Sequence, residues 1–228
     1  MSHYIYLFGS ICRGEISADS DIDLLAIVDG VDSRFDPSIY SVYSRRRLDQ
    51  IWRDGNPFAW HLSKESRLVF SYDGKDVLKE LGEPSRYNNA ATDCEKFHRL
   101  FKEAFGSFTA SRDTMVFDLS AMFLAIRNFA TCYLLGVQGQ ACFSKDSALR
   151  MGQDSVPLAP DAFDLLLRAR HLSTRAKGAQ ITYEECHNRL TAFGLVDDWM
   201  TRLRNDGFTR IRVQQSYGST EAVASCCE

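Results

Sequence analysis

Two short apolar runs near the N-terminus restrict what this chain can fold into. Residues 4–8 form the first run, which stops at Gly9-Ser10, and residues 21–28 form the second. The second run begins with alternating acidic and apolar residues and then becomes continuously apolar. That pattern is typical of a strand whose inner end is covered on both faces and whose first residues reach a cleft. The two runs therefore predict two strands of a sheet, with polar residues at one end of the second.

The rest of the N-terminal third continues this mixture of strands and short helices. A third strand is predicted at 38–43, and a fourth at 68–72, where the turn pair Asp73-Gly74 closes it. Between these two strands, the sequence predicts a basic helix near 45–53 and a second helix near 57–66, after the break Gly55-Asn56-Pro57.

From about residue 90 the pattern is that of helices alone. Apolar residues recur at three- and four-residue intervals from 94 to 108, which indicates an amphipathic helix. Further helices are predicted at 115–135, 162–176, 183–193 and 197–205. The fold class is therefore α+β, with a mixed sheet and flanking helices followed by an all-helical bundle. Since 82–89 has the composition of a linker, we predict domains at 1–87 and 88–213 and a disordered tail at 214–228.

The charge balance limits the classes of partner. The chain carries a formal net charge of −3 at pH 7, whereas a surface for extended nucleic acid needs a basic stripe that neutralises phosphates. We expect no such surface. A single nucleotide needs only a few local donors and a metal, so the charge does not exclude a nucleotide substrate.

The sequence also predicts a cytoplasmic protein without a membrane segment. Its first residues lack the pattern of a secretory signal. The most apolar stretch, 115–137, is interrupted by Asp118, Arg127 and other polar residues, which favours a buried helix over a bilayer span. The seven cysteines form no CxxC pair and no metal-ligand spacing with the five histidines, so we expect reduced thiols.

Asp21 and Asp23 are the residues best suited to metal binding and catalysis. Side chains two positions apart on a strand share a face and lie about 7 Å from each other. Two carboxylates in that arrangement repel each other unless a cation lies between them. Two oxygen ligands of this kind suit Mg²⁺. Substrate phosphates and water then complete the coordination shell of the ion. The alternative is a connection with two solvated acids, which would not need the glycines and Ser10 at these offsets.

A second set of residues is suited to phosphate binding. Gly9 has no Cβ and Ser10 carries a hydroxyl, so backbone N–H groups at this turn can approach phosphate oxygens closely. Arg13 is positioned to add positive charge, and Ser20 directly precedes the first acid. We call Gly9, Ser10, Arg13 and Ser20 the nucleotide-binding group.

Together, Gly-Ser-x-x-Arg-Gly at 9–14 and Ser-Asp-x-Asp-Leu at 20–24 resemble the signature of the DNA polymerase beta nucleotidyltransferase superfamily. The minimal and the aminoglycoside nucleotidyltransferases are the most similar members, and the resemblance covers roughly residues 4–82. It implies that the two aspartates hold one or two Mg²⁺ ions and that the nucleotide-binding group binds a nucleoside triphosphate, with ATP expected. An acceptor hydroxyl would then attack the α-phosphate, and pyrophosphate would leave.

Two features depart from the family pattern. The family has a third carboxylate on the strand that corresponds to 38–43, where this chain has Ser38, Ser41 and Tyr43. The family's helix before the first strand is also missing, which predicts that one face of the sheet is exposed or covered by a partner. Both departures concern turnover or assembly rather than nucleotide binding.

Three other positions have both a functional and a structural interpretation. In aminoglycoside nucleotidyltransferases an acid of the helical domain can act as base, which makes Asp118 a candidate. Arg127-Asn128 resembles the start of the HEPN motif, but Cys132 and Tyr133 stand where its histidine would be, so no RNase activity is expected. His61 is interpreted as a helix residue packed beside Trp60.

The leading hypothesis is a metal-dependent nucleotidyltransferase that moves a nucleoside monophosphate from a triphosphate to an acceptor hydroxyl. The acceptor can be a small molecule, a protein or an RNA end, and the active site is expected in a cleft between the two domains. The alternative is a catalytically degenerate nucleotide- or partner-binding module of a toxin–antitoxin or defence-type complex. Both hypotheses leave room for a protein partner or a homodimer.

Overall fold

The computed structural model describes the backbone of residues 3–15 and 22–224, and the side chains up to residue 208 of that part. Two compact units divide the chain. The first comprises Met1–Asn88 together with Gln140–Ser144, and the second comprises Asn89–Gly139 with Lys145–Glu228. The segment Gln140–Ser144 lies within the helical region that the sequence predicts from 88 onward, yet it clusters with the first unit.

Among its described residues, the first unit has four strands and four short helical elements. They are, in chain order, β1 His3–Phe8, a 3₁₀ helix Gly9–Arg13, β2 Asp23–Val28, β3 Tyr40–Ser44, α1 Arg45–Arg53, α2 Pro57–Glu65, β4 Ser66–Ser71 and α3 Val77–Glu80. The strand order is β3-β2-β1-β4. Because β1 is antiparallel to both neighbours while β2 and β3 are parallel, the sheet is mixed, and the predicted fold class is confirmed.

Local capping explains where the two helices between β3 and β4 begin. The Ser44 hydroxyl accepts a hydrogen bond from the Arg47 N–H at 3.2 Å, which satisfies a free donor at the start of α1. The Asn56 side chain does the same for the Phe58 N–H at 2.8 Å, with Pro57 at the first helical position. The two caps agree with the starts of α1 and α2, and α2 ends at Glu65 directly before β4.

The core of the first unit lies mainly on one face of the sheet. Tyr6 and Phe8 of β1 and Leu25 and Ile27 of β2 pack there against apolar residues of the three α-helices. The opposite face holds a smaller cluster in which Phe35 packs on Ala26 and Val28. Strand alternation assigns the side chains to these faces, so odd-numbered β2 residues share the helix-covered side.

The segment after α3, which the sequence interprets as a linker, is held against α1 and α2. The Trp52 indole N–H donates to the Gly82 carbonyl at 2.9 Å, and the Trp60 indole N–H donates to the Ser85 carbonyl at 3.1 Å. The Ser85 N–H donates in turn to the Trp52 carbonyl at 2.9 Å. The chain therefore runs directly over Gly55 before it enters the second unit.

The second unit is helical. Its α-helices are α4 Ala90–Ala110, α5 Met115–Val137, α6 Pro160–Arg175, α7 Tyr183–His187 and α8 Leu190–Ala224. The sequence predicts a break near Gly194, but the break lies at 188–189, and Gly194 is inside α8 with no atom near its missing Cβ. At the break, the Arg189 guanidinium donates to Asp161 and to the Glu185 carbonyl. The backbone of α8 continues into 214–228, for which the predicted disordered tail stays a prediction.

Helix α5 is the central helix of the second unit. Within the part of the chain that the structure describes, it alone is long and apolar enough to cross a membrane. Most of that apolar stretch is buried, and α5 packs against α4, α6 and α8. This arrangement is that of a core helix.

Candidate functional site

The carboxylate of Asp23 lies directly over Gly9. Asp23 is the first residue of β2 and pairs with Phe8 of β1, so the carboxylate emerges where β1 turns into the 3₁₀ helix. A Cβ placed on Gly9 would be 2.6 Å from Asp23 Oδ2, closer than any side chain could approach. The Asp23 residue itself is exposed. An exposed acid and a bare backbone therefore share one small space at the edge of the sheet.

Gly9 is required by its backbone as well as by this close approach. Its φ is 82°, in the left-handed region that residues with a side chain rarely adopt. Gly14 closes the 3₁₀ helix in the same region, with φ 75°, and its N–H donates to the Ile11 carbonyl at 3.1 Å. The Glu15 N–H donates to the Ser10 carbonyl at 3.0 Å. The backbone conformation thus favours glycine at both positions of the motif.

Arg13 forms ion pairs with two carboxylates. Its Nε lies 3.0 Å from Glu15 Oε2, and its Nη1 binds Glu65 Oε2 at the end of α2. Partial burial opposes the charge of the guanidinium, but these two carboxylates raise the pKa of Arg13 above its ordinary value. Arg13 was predicted as a phosphate-binding residue, and the structure shows its guanidinium occupied by protein anions.

Glu65 connects Arg13 to His61. His61 Nε2 lies 3.0 Å from Glu65 Oε2, one helical turn apart on α2. This nitrogen is buried and makes no well-aligned hydrogen bond, so the contact is a close ion-pair approach when the imidazole is protonated. Partial burial favours the neutral acid, but the neighbouring His61 and Arg13 outweigh it and lower the pKa of Glu65. Glu65 therefore stays a carboxylate beside the turn.

The segment Gln140–Ser144 packs on the same group. The ring of Phe143 stacks on His61 with centroids 4.7 Å apart, and the Ser144 hydroxyl donates to Glu15 Oε2 at 3.3 Å. Phe143 and Ser144 are both buried. His61 was expected beside Trp60, but its ring contacts are Phe143, Phe8 and Phe58.

The described residues supply part of the predicted metal site. Ser20 and Asp21 lie outside them, so of the two predicted ligands only Asp23 is placed. None of the β3 residues, Tyr40–Ser44, is acidic, in agreement with the sequence. Among the described side chains, at 3–15 and 22–208, no three His, Cys, Asp or Glu residues come close enough to hold a metal ion.

Asp118, the candidate base in the helical region, is a buried residue of α5. Its Oδ2 accepts hydrogen bonds from the Thr114 hydroxyl at 2.7 Å and the Ser107 hydroxyl at 3.1 Å. These contacts close the connection between α4 and α5. The geometry gives Asp118 a structural role within the second unit.

The sequence analysis missed Glu15, Glu65 and Ser144. One local signal was present, because His61 and Glu65 stand four residues apart and share a face of α2. The contact of Glu65 with Arg13 has no such signal, since 52 residues separate the two. The same holds for Ser144 and Glu15, which are 129 residues apart.

Comparison with known proteins agrees with the geometry at Gly9 and Asp23. Residues 4–82 match the family model of the nucleotidyltransferase domain. Among solved structures, the chain is similar to spectinomycin adenyltransferase AAD(9) from Enterococcus faecialis, determined with ATP and spectinomycin. That similarity has 12% sequence identity and a TM-score of 0.48, and it covers 88% of this chain and 92% of the other.

No curated protein matches the sequence. The family match coincides with the four-stranded sheet, the glycine turn and the acid above it. Residues 4–82 are therefore similar to the nucleotidyltransferase domain family.

Proposed function

We propose that this protein is a metal-dependent nucleotidyltransferase that transfers a nucleoside monophosphate from a nucleoside triphosphate to an acceptor hydroxyl. The observation that carries the proposal is the Asp23 carboxylate, exposed and directly above the missing Cβ of Gly9. A polyphosphate that follows the glycine backbone would lie against this acid. Two anions in such proximity repel each other unless a cation separates them.

The donor set fits a hard divalent cation. Asp23 offers carboxylate oxygens, and Asp21 would add a second carboxylate from the same edge. Since the described residues hold no complete ligand cluster, phosphate oxygens and water would have to complete the coordination, as Mg²⁺ prefers. When bound, such a cation neutralises phosphate charge and polarises the phosphorus for attack.

The protein's own residues would orient the nucleotide. Gly9 leaves the backbone accessible, and Ser10 adds a hydroxyl beside it, so phosphate oxygens can meet short donors without a side chain in the way. Ser20 and Asp21 are proposed to complete the site from the segment before β2. ATP is the first nucleotide to test. The acceptor hydroxyl belongs to a small molecule, a protein or an RNA end.

A second candidate function has one specific observation in its favour. The described strand β3 carries no acid, and in the superfamily the third acid serves as base or second-metal ligand. A protein that binds nucleotide without transferring it, as a subunit of a heteromeric complex or a homodimer, would fit this. Nucleotide binding without turnover separates the two functions.

The test is Asp23→Asn, with Asp29→Asn as matched control. Asp29 is exposed and follows the opposite end of β2, so its replacement removes the same charge away from Gly9. We expect the wild type to bind a fluorescent ATP analogue only with Mg²⁺. Asp23→Asn should weaken that binding by at least about tenfold, because even residues that only support metal ligands change affinity by roughly 10–100-fold.

Turnover is then measured as pyrophosphate release and as transfer of label from α-labelled ATP into the small-molecule, protein or RNA fraction of a cell extract. The labelled fraction gives the acceptor class. No Mg²⁺-dependent binding by the wild type, or equal binding by Asp23→Asn, would overturn the proposal. Binding with no transfer would favour the second candidate.

A further inference from the structure

The guanidinium of Arg13 is held by carboxylates from two different parts of the first unit. Glu15 follows the 3₁₀ helix Gly9–Arg13, whereas Glu65 ends α2. Only 19% of the Arg13 side chain and 12% of the Glu65 side chain are exposed. An ion pair shielded to this degree is screened less by salt than a surface pair. The pair therefore ties the 3₁₀ helix to α2.

Electrostatics argue against direct phosphate binding by Arg13. One guanidinium faces two carboxylates, so its positive charge is more than neutralised before any ligand arrives. If Arg13 moved to a phosphate, the shielded Glu65 would lose its arginine partner. Breaking a shielded ion pair by removing one partner is costly, because the remaining charge is left without compensation.

The two carboxylates that bind Arg13 have further contacts of their own. Phe143 packs against His61, which lies next to Glu65, and Ser144 donates to Glu15. Both carboxylates that hold Arg13 are therefore held themselves. A network with every member contacted in this way fixes one geometry better than isolated pairs do.

We infer that Arg13 and Glu65 are positioning residues, which keep the turn from Gly9 to Glu15 in the shape that receives the polyphosphate, and that Arg13 does not bind phosphate itself. The part of this inference that concerns polyphosphate binding rests on the proposed function. Its structural part concerns two hydrogen bonds of the turn, from Gly14 N–H to the Ile11 carbonyl and from Glu15 N–H to the Ser10 carbonyl.

Amide hydrogen exchange of the full chain without ligand tests the structural part. Arg13→Gln and Glu65→Gln each remove the ion pair but keep similar shapes. Each should accelerate exchange in the peptide that covers residues 9–15 by about tenfold, since local opening becomes easier. The double variant should exchange no faster than Arg13→Gln alone, because Arg13→Gln already breaks the link to Glu65. Arg46→Gln, on the exposed side of α1, is the control and should leave this peptide unchanged.

Binding of the fluorescent ATP analogue with Mg²⁺ tests whether the shape of the turn matters for nucleotide binding. Positioning predicts that both single variants weaken binding, that the double variant weakens it no more than Arg13→Gln does, and that Glu65→Asp recovers part of the loss of Glu65→Gln. A direct phosphate contact predicts that Arg13→Gln weakens binding strongly while Glu65→Gln leaves it unchanged or tighter. That second pattern, or unaltered exchange at 9–15 in both single variants, would overturn the inference. If the wild type binds no nucleotide, the proposed function fails, while exchange still decides whether Arg13 and Glu65 hold the turn.

Discussion

At the scale of single residues, the geometry around Asp23 depends on the absence of a Cβ at Gly9. Gly9 combines a φ of 82° with a space above its Cα that the Asp23 carboxylate occupies. The two requirements are independent, because the first concerns backbone strain and the second concerns room for the Asp23 carboxylate. Gly14 shares the first requirement, with φ 75°, but has no atom within 4 Å of a Cβ. The two glycines therefore form a natural comparison.

Gly9→Ala should abolish function, whereas Gly14→Ala should be tolerated. Both substitutions strain a left-handed backbone by roughly 1–2 kcal/mol. In Gly9→Ala the new methyl also displaces the Asp23 carboxylate, whose Oδ2 is only 2.6 Å away. We expect Mg²⁺-dependent ATP binding to be lost in Gly9→Ala and kept within about threefold in Gly14→Ala. Equal behaviour of the two variants would show that strain alone matters and that Asp23 does not need this space.

At the scale of elements, the segment after α3 is part of the first unit rather than a free connection. Trp52 of α1 and Trp60 of α2 donate indole hydrogen bonds to its carbonyls. A Cβ on Gly55, between the two helices, would lie 2.3 Å from the Ser85 carbonyl oxygen and 2.4 Å from that of Arg86. These carbonyls belong to the backbone and cannot move aside cheaply. The close packing of the segment therefore depends on a glycine at the break before α2.

Gly55→Ala should destabilise the first unit far more than Gly74→Ala. Gly55 and Gly74 both have positive φ, 61° and 79°, but only Gly55 faces neighbouring atoms. We expect Gly74→Ala to lower the free energy of unfolding by about 1 kcal/mol from strain. Gly55→Ala should lower it by about 3 kcal/mol or more, because the carbonyls and the indole hydrogen bonds must shift. Thermal melting followed by circular dichroism measures both, and equal melting temperatures would contradict the packing described here.

At the scale of the whole molecule, the first unit is not a continuous piece of the chain. It is completed by Gln140–Ser144, which follows α5 in sequence. Within that segment, Phe143 is 5% exposed and covers one face of His61. The family match at residues 4–82 therefore leaves out a segment, Gln140–Ser144, that belongs to the same compact unit.

Phe143→Ala should destabilise the protein, and Phe117→Ala is its matched control. Removal of a buried phenylalanine side chain costs about 3–5 kcal/mol, whereas Phe117 is 65% exposed and its loss should cost less than about 0.5 kcal/mol. Calorimetric melting of the full chain measures both. Unchanged melting in Phe143→Ala would mean that residues 140–144 contribute no packing to the first unit.

Sequence patterns were sufficient for features that a few neighbouring residues determine. Short apolar or alternating runs predicted the four described strands, and the spacing from Gly9 to Asp23 indicated the family. The caps at Ser44 and Asn56 agree with the predicted starts of α1 and α2. Each of these depends on backbone conformation or side-chain direction over one strand or one turn. Such properties repeat wherever the same residues occur in the same order.

Only the tertiary structure revealed the partners of Arg13, because the same arginine can meet a phosphate or a carboxylate and its neighbours in sequence do not choose between them. Glu65 and Ser144 reach the turn through the packing of α2 and of residues 140–144, across separations of 52 and 129 residues. Arg189, at the break between α7 and α8, likewise contacts Asp161, 28 residues away in sequence. Ion pairs between distant residues depend on where the chain returns, and short-range periodicity carries no information about that.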